Sequence, residues 1–138
     1  MMDHRASRLL ERMRVATLAT VSADGRPHLV PVVFALDGIY LVTAVDGKPK
    51  RGTVLARIEN IARDSRVTLL GHLYEEDWSK LCWVRLDGTA ALEEGGERFE
   101  QALTALRNRY PQYESVELNG PVIRITVEDT TTWEATPG

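Results

Sequence analysis

Apolar residues recur along this chain with two different periods, and these periods divide it into helices and strands. Helical spacing of apolar side chains predicts helices over residues 3–14, 54–62 and 95–110. Runs rich in branched and aromatic residues predict strands, and they lie at residues 15–21, 28–35, 39–45, 67–70, 81–86, 88–92 and 121–127. The pattern therefore describes a mainly β protein with peripheral helices.

The turns between the first strands carry clear signals. Asp24-Gly25 and Asp37-Gly38 are typical of hairpin turns, so the first three strands are predicted to form an antiparallel meander. Pro31 cannot donate to a strand ladder, which predicts an edge strand or a bulge at that position. Asp87-Gly88 interrupts a longer apolar run and is interpreted as a bulge or kink.

Six or so strands joined mainly by hairpins predict one domain, residues 1–138, built as a small closed or nearly closed antiparallel barrel with helices at its edges. The 43% hydrophobic and 27% charged content is ordinary for a globular protein. No apolar run approaches the ~20 residues of a membrane span, and the charged first residues do not form a secretory signal. With Cys82 as the lone cysteine, we expect a cytoplasmic location.

A basic turn lies at the centre of the chain. After the strand that ends at Val45, the turn carries Lys48, Lys50 and Arg51 ahead of a helix. Six basic and two acidic residues lie between Lys48 and Arg66, a local charge of +4 in a chain whose net charge is −3. This excess, together with the amides at the following helix start, predicts a phosphate or other anion site, although a solvated turn is the ordinary alternative.

Three residues near the predicted strand at 81–86 suggest a slot for a flat ring. Trp78 and Trp83 flank the start of this strand, and Arg85 shares a face with Trp83. A slot between tryptophan and a phosphate anchor would accept a flavin-like molecule. The alternative is that Trp83 is a core residue and Trp78 covers the barrel end.

Motifs for side-chain catalysis are absent, and the sequence identifies no catalytic residue. There is no nucleophile elbow, Walker loop or dinucleotide-binding glycine motif. His4, His28 and His72 have no ligand-like spacing with each other or with Cys82, so no metal site is expected. The net negative charge and the short basic turn argue against nucleic-acid binding. Any redox chemistry would belong to a bound cofactor.

Three runs carry a resemblance to a known family. Taken in order, VATLATVSADGRPHLVPVVFALDG, IYLVTAVDGKPKR and IENIARDSRVTLL resemble the pyridoxamine 5′-phosphate oxidase-like, FMN-binding split-barrel superfamily. The stretch YEEDWSKLCWVRLDGTA and the ending VEDTTTWEA are similar to its short members that use the deazaflavin coenzyme F-420 (8-hydroxy-5-deazaflavin). The resemblance implies a six-stranded antiparallel split β-barrel that forms a homodimer with two cofactor sites at the interface.

The resemblance also implies roles for individual residues. Pro31, Val32 and Val33 would approach the cofactor's ring system through their backbone. The other implied cofactor residues are Thr43 and Ala44 along the cofactor chain, Lys48, Lys50 and Arg51 at its phosphate, and Trp78, Trp83 and Arg85 facing the partner's site. Arg57 and Asn60 are weaker candidates for the anionic tail.

Two departures from the family pattern limit the function it implies. Gly52-Thr53-Val54 stands where relatives continue with Arg and Leu, and the Trp-x-G substrate segment of the oxidase has no counterpart. We therefore expect an oxidoreductase that transfers hydride between coenzyme F-420 and a small conjugated or unsaturated molecule. The alternatives are an FMN-dependent oxidase or reductase, a non-catalytic cofactor-binding module, and a plain structural or interaction domain.

Overall fold

The computed structural model describes residues 2–45, 55–118 and 120–136. Three helices and seven strands follow one another in these ranges. The helices are α1 (His4–Glu11), α2 (Ala56–Arg63) and α3 (Glu97–Arg109), with short 3-10 helices at Trp78–Lys80 and Pro111–Glu114. The strands are β1 (Ala16–Val21), β2 (Pro27–Val32), β3 (Ala35–Asp37), β4 (Tyr40–Ala44), β5 (Arg66–Leu73), β6 (Cys82–Glu93) and β7 (Val122–Glu134).

All seven strands form one antiparallel sheet in the order β2-β1-β5-β6-β7-β4-β3. The two Asp-Gly hairpins are confirmed as β1-β2 and β3-β4, and Pro31 lies on the edge strand β2 as predicted. The predicted meander is wrong, because the two hairpins occupy opposite ends of the sheet. The predicted strand at 28–35 also ends early, at Val32, and the chain starts β3 at Ala35.

The short connection between β2 and β3 requires the sheet to curl into a barrel. Val33 and Phe34 alone join β2 to β3, so Val32 and Ala35 are at most about 11 Å apart. In a flat sheet the two end strands would be separated by six strand spacings, about 29 Å. Because β2 and β3 meet without pairing in the described residues, the barrel stays split along this line.

Strands β6 and β7 form the longest ladder of the barrel. The register shifts between Asp87 and Gly88, which confirms the predicted bulge, and a Cβ at Gly88 would collide with the backbone carbonyl of Thr126. Strand β7 continues to Glu134, well beyond the predicted end at Val127. Its second half, EDTTTWE, lacks apolar alternation and is held in the sheet by pairing with residues 82–87 of β6.

The helices cover the barrel with their apolar faces. Asp3 caps α1 by accepting a hydrogen bond from the backbone N–H of Ala6, and this helix buries Ala6, Leu9 and Leu10. One core cluster fills the barrel beneath α1 and α2, and a second lies between β3, β4 and α3. Helix α2 buries Ile61, but Ala62 is exposed, contrary to the predicted face. No helix in the described ranges is long and apolar enough to cross a membrane.

Candidate functional site

A cleft opens where the barrel is split. Its volume is about 270 Å³, and we refer to it as the cleft throughout. The cleft is lined by Val15, Pro31, Val32, Val33, Thr43, Ala44 and Arg57. The structure therefore brings together five of the residues predicted to contact a cofactor, from two segments that are distant in sequence.

The backbone at the split is available to a ligand. Val33 lies between β2 and β3, and neither its N–H nor its C=O has a hydrogen-bond partner among the described residues. Since backbone polar groups in folded proteins are almost always paired, this donor and acceptor at the cleft wall are suited to the polar edge of a ring. The predicted backbone approach at Pro31–Val33 is thus physically possible.

Tyr110 fixes the shape of this wall. Its hydroxyl accepts a hydrogen bond from the N–H of Phe34 at 3.1 Å and lies 2.7 Å from the Phe34 carbonyl and 3.0 Å from the Arg14 carbonyl. The single hydroxyl proton can be donated to one of these two carbonyls at a time. Tyr110 thereby ties the end of α3 to the residue next to Val33.

The N-terminus of α2 closes another side of the cleft. Arg57 lines the cleft, and the N-cap residue Leu55 makes no side-chain capping bond. Asn60, on the same helix, is 6% exposed, donates to Thr20 Oγ1 at 3.0 Å and accepts from Arg63. Asn60 therefore attaches α2 to β1 and does not line the cleft.

A second concavity of about 590 Å³ lies on the outer face of the sheet, and we call it the outer groove. It is lined by Leu70, His72, Tyr74, Trp83 and Arg85. Trp83 is half-buried on this outer face, so it is not the core tryptophan of the alternative interpretation. The Arg85 guanidinium stands 5.6 Å from the centre of the Trp83 ring.

Within one chain the cleft and the outer groove remain separate. The register places Pro31 opposite Thr17, Thr17 opposite Leu70, and Leu70 opposite Arg85. Three strand spacings therefore separate Pro31 from Arg85, a distance of about 14 Å across one sheet face.

The remaining predicted residues lie elsewhere. Trp78 is 74% exposed on its 3-10 helix and lines neither the cleft nor the outer groove. Lys48, Lys50 and Arg51, the predicted phosphate anchor, lie outside the described residues. Trp78 and Trp83 therefore do not line a common concavity in the described part of the chain, and the slot between tryptophan and the phosphate anchor stays a prediction.

The groups with displaced pKa values lie away from the cleft. Hydrogen bonds from Arg66 lower the pKa of Asp64 to about 2, and the bond from the Ala6 N–H lowers the pKa of Asp3. Hydrogen bonds from Ser79 lower the pKa of Asp77, and burial raises the pKa of the Cys82 thiol. The described lining of the cleft consists of apolar side chains, one threonine and one arginine, which suits binding and orientation.

Sequence reasoning missed four residues near these concavities. Val15, Arg14 and Tyr110 lie where a strand starts or a helix ends, and no local pattern shows that the chain brings them to the split. His72 was placed correctly on a strand, but its position directly opposite Trp83 depends on the register of β5 against β6. Strand register and tertiary packing reveal these positions, and local sequence patterns do not.

Comparison with known proteins now identifies the family. The family model for pyridoxamine 5′-phosphate oxidase matches residues 2–134. The chain belongs to this family. No curated protein matches the chain significantly.

Solved structures share the split-barrel fold at low sequence identity. A conserved hypothetical protein from Mycobacterium tuberculosis is 23% identical, with a TM-score of 0.78 over 98% of this chain and 86% of that one. A candidate pyridoxamine 5′-phosphate oxidase from Listeria innocua is 23% identical, with a TM-score of 0.65 over 94% and 98% of the two chains. The heme storage protein of Vibrio cholerae is 15% identical, with a TM-score of 0.72 over 97% and 95%. These likenesses establish the fold, which is a mainly β, antiparallel split barrel. It has seven strands in the described residues, where six were predicted.

Proposed function

We propose that this protein is a homodimeric oxidoreductase that binds the deazaflavin coenzyme F-420 in the cleft and transfers hydride to a small conjugated or unsaturated molecule. The observation that carries the proposal is the backbone of Val33 at the wall of the cleft, which has no partner among the described residues and lies beside small and apolar side chains. Such a site orients a flat ring and excludes water, while the cofactor carries the redox chemistry.

The residues around the cleft fit such a cofactor. Pro31, Val32 and Val33 offer a flat, mostly apolar wall, and Thr43 and Ala44 leave room for the chain that extends from the ring. When bound, the reduced cofactor would supply a hydride to an electron-poor carbon of the acceptor, and a proton from water would complete the reduction. The protein would position the two reactants and exclude water from them.

The phosphate end of the cofactor is assigned to the basic turn. Ala44 at the end of β4 and Arg57 in α2 both line the cleft. Residues 46–54 belong to the connection between these two elements. Lys48, Lys50 and Arg51 lie in this connection, so charge complementarity supports an anionic tail here. Arg57 would add to the same positive field.

A second copy of the chain is assigned to the outer face of the sheet. Leu70 and Trp133 are 37% and 41% exposed on this face, beside Trp83 and Arg85. An exposed apolar and aromatic face on a small protein is typical of an interface. In a symmetric dimer the outer groove of one chain would face the cleft of the other, which would bring Trp83 and Arg85 to the cofactor.

The test is a paired titration of the purified protein with coenzyme F-420 and with FMN, followed by tryptophan quenching. We expect micromolar binding of the deazaflavin and weaker binding of FMN. Lys48→Ala and Lys50→Ala should each weaken binding by about 1–3 kcal/mol, because a charged hydrogen bond to phosphate is lost. Lys80→Ala, an exposed lysine on the 3-10 helix, is the matched control.

The outcomes separate the alternatives. A preference for FMN would make the protein a flavin-dependent oxidase or reductase. Binding with a reduced cofactor that persists in the presence of every acceptor would indicate a non-catalytic cofactor-binding module. Unchanged affinity in both lysine variants and in the double variant would remove the proposed anchor, and binding of neither cofactor would leave a structural or interaction domain.

A second candidate function is heme binding, and one observation favours it. His72 is exposed at the rim of the outer groove, 5.7 Å from the Tyr74 ring and opposite Trp83, with Arg85 available to a carboxylate. Imidazole is a common heme ligand, and one similar structure is a heme storage protein. A titration with hemin should then give a Soret shift that His72→Ala removes; equal spectra for both proteins would eliminate this candidate.

A further inference from the structure

A third cavity adjoins the cleft, and we call it the side cavity. Its volume is about 380 Å³. The side cavity is lined by Arg14, Val15, Val33, Tyr110, Gln112, Tyr113 and Val116. Two of these residues, Val15 and Val33, also line the cleft, so a molecule in the side cavity contacts the same wall as a ring bound in the cleft.

The side cavity contains a positioned cation. The Arg14 guanidinium stands 4.8 Å from the centre of the Tyr110 ring, and one of its N–H groups donates to the Arg109 carbonyl at 2.8 Å. Within the described ranges, Arg14 forms no ion pair with an acidic side chain. Most of its five N–H donors therefore remain for an anion.

The wall beside Arg14 is aromatic and apolar. The Tyr110 and Tyr113 rings meet edge to face with their centres 6.0 Å apart, and Val116 completes the wall. Tyr110 is held by its hydroxyl bonds to the backbone near the split, so this wall is rigid. An aromatic and apolar wall beside a fixed guanidinium is complementary to a planar molecule with a carboxylate at one end.

We infer that the side cavity binds the acceptor of the proposed reaction, and that this acceptor is a planar conjugated carboxylate. The inference rests on the proposed function for the reaction, but the cavity itself can be tested without it. Arg14 binds the carboxylate, the aromatic and apolar lining contacts the conjugated body, and the shared wall at Val15 and Val33 places the reactive end beside the cleft.

The experiment measures ligand binding by saturation-transfer NMR, without any turnover. The probes are cinnamate, 2-naphthoate and quinaldate, each paired with its neutral amide. We expect at least one carboxylate to bind about tenfold or more tightly than its amide, since a charged hydrogen bond contributes about that much. Arg14→Gln should abolish this preference, and Arg14→Lys should retain part of it.

Two further variants control for charge and for folding. Arg107→Gln removes the same charge from the exposed face of α3 and should keep the preference. Val116→Trp fills the side cavity while Arg14 stays in place, so it should abolish carboxylate binding even if Arg14→Gln melts early. A preference that persists in Arg14→Gln, or carboxylate binding that persists in Val116→Trp, overturns the inference, as does the absence of any charge preference in the unmodified protein.

Cofactor titrations on the same samples distinguish carboxylate binding in the side cavity from the proposed redox function. Carboxylate binding that depends on Arg14 in a protein that binds neither F-420 nor FMN would support the side cavity and refute the proposed redox function. Cofactor binding without carboxylate binding would support the proposed redox function and refute the side cavity as the acceptor site.

Discussion

The cleft and the outer groove are both concave, but they are built from different parts of the chain. The cleft is formed mainly by small apolar side chains and by the backbone of Val33, which pairs with nothing in the described ranges. The outer groove is formed by large side chains, above all Trp83 and Arg85, that stand on a fully paired region of the sheet. One offers shape and backbone polarity, and the other offers exposed aromatic surface and charge.

The difference indicates that the two concavities have different roles. A cleft whose polar groups are backbone atoms can hold a ring in one orientation but cannot act as a chemical catalyst by itself. An exposed aromatic groove is more typical of a surface that another chain covers. Because they lie about 14 Å apart on one protomer, a single ligand ring contacts both only if a second copy contributes the groove.

The largest effect is expected at the outer face. Leu70→Arg should convert the dimer to a monomer, because a second cation opposite Arg85 would be buried without an acidic partner at the interface, at a cost of about 3 kcal/mol or more. Sedimentation velocity over a concentration series measures the change. Ile39→Arg, at a more exposed apolar position in the β3-β4 turn, should leave the dimer intact. A monomeric parent protein would contradict the assignment of this face.

The next effect is expected in the cleft. Val15 is exposed and lines the cleft, so Val15→Trp should obstruct it without disturbing the core. We expect the affinity for coenzyme F-420 to fall by about tenfold or more, or about 1.4 kcal/mol. Ile39→Trp is the matched control in the fluorescence titration. Equal affinities for the two variants would show that the cofactor does not enter the cleft.

An effect of similar size is expected at the residue that shapes the cleft. Tyr110→Phe keeps the ring but removes the hydroxyl that bonds to Phe34, so unfolding by urea should show a loss of about 1–3 kcal/mol. Cofactor affinity should fall as well, since the wall at Val33 is no longer fixed. Tyr74→Phe, in which an exposed hydroxyl is removed, should leave the free energy of unfolding unchanged.

The smallest effect is expected at the cap of α1, which lines neither concavity. Asp3→Ala should reduce stability by about 1 kcal/mol at neutral pH, because the bond to the Ala6 N–H is lost. The pKa of Asp3 is lowered in the folded state, so its contribution is complete above its usual pKa of 3.8 and declines as the pH falls through the folded value. Urea unfolding at pH 7 and in acid should therefore show the two proteins converging in acid. A difference that is independent of pH would contradict this reason for the effect.

The sequence predicted local features better than long-range ones. The two Asp-Gly hairpins, the edge position of Pro31 and the bulge at Asp87-Gly88 depend on turn chemistry and ladder geometry, and all are confirmed. The meander was wrong because turn signals do not encode which hairpin pairs with which. The second half of β7 was missed because its threonines are polar, and only the pairing with β6 holds it in the sheet.

The same distinction applies to the candidate site. Pro31, Val33 and Ala44 were grouped through a family resemblance, and the structure brings them to one cleft. Tyr110 and Arg14 could not be predicted, because their neighbours at the split come from segments about 80 to 100 residues away in sequence. Trp83 and Arg85 were correctly paired on one face, yet their distance from the cleft follows only from the order of the strands.

The most direct test of the central claim is a mixed dimer of Val15→Trp and Arg85→Ala chains, purified with two different tags. Each variant alone should bind coenzyme F-420 weakly, because Val15→Trp blocks the cleft and Arg85→Ala removes a cation from the outer groove. The mixed dimer retains one intact cleft facing one intact groove, so isothermal titration should recover about one tight site per dimer. Mixed dimers that bind no better than the two parent variants would contradict a site shared between protomers.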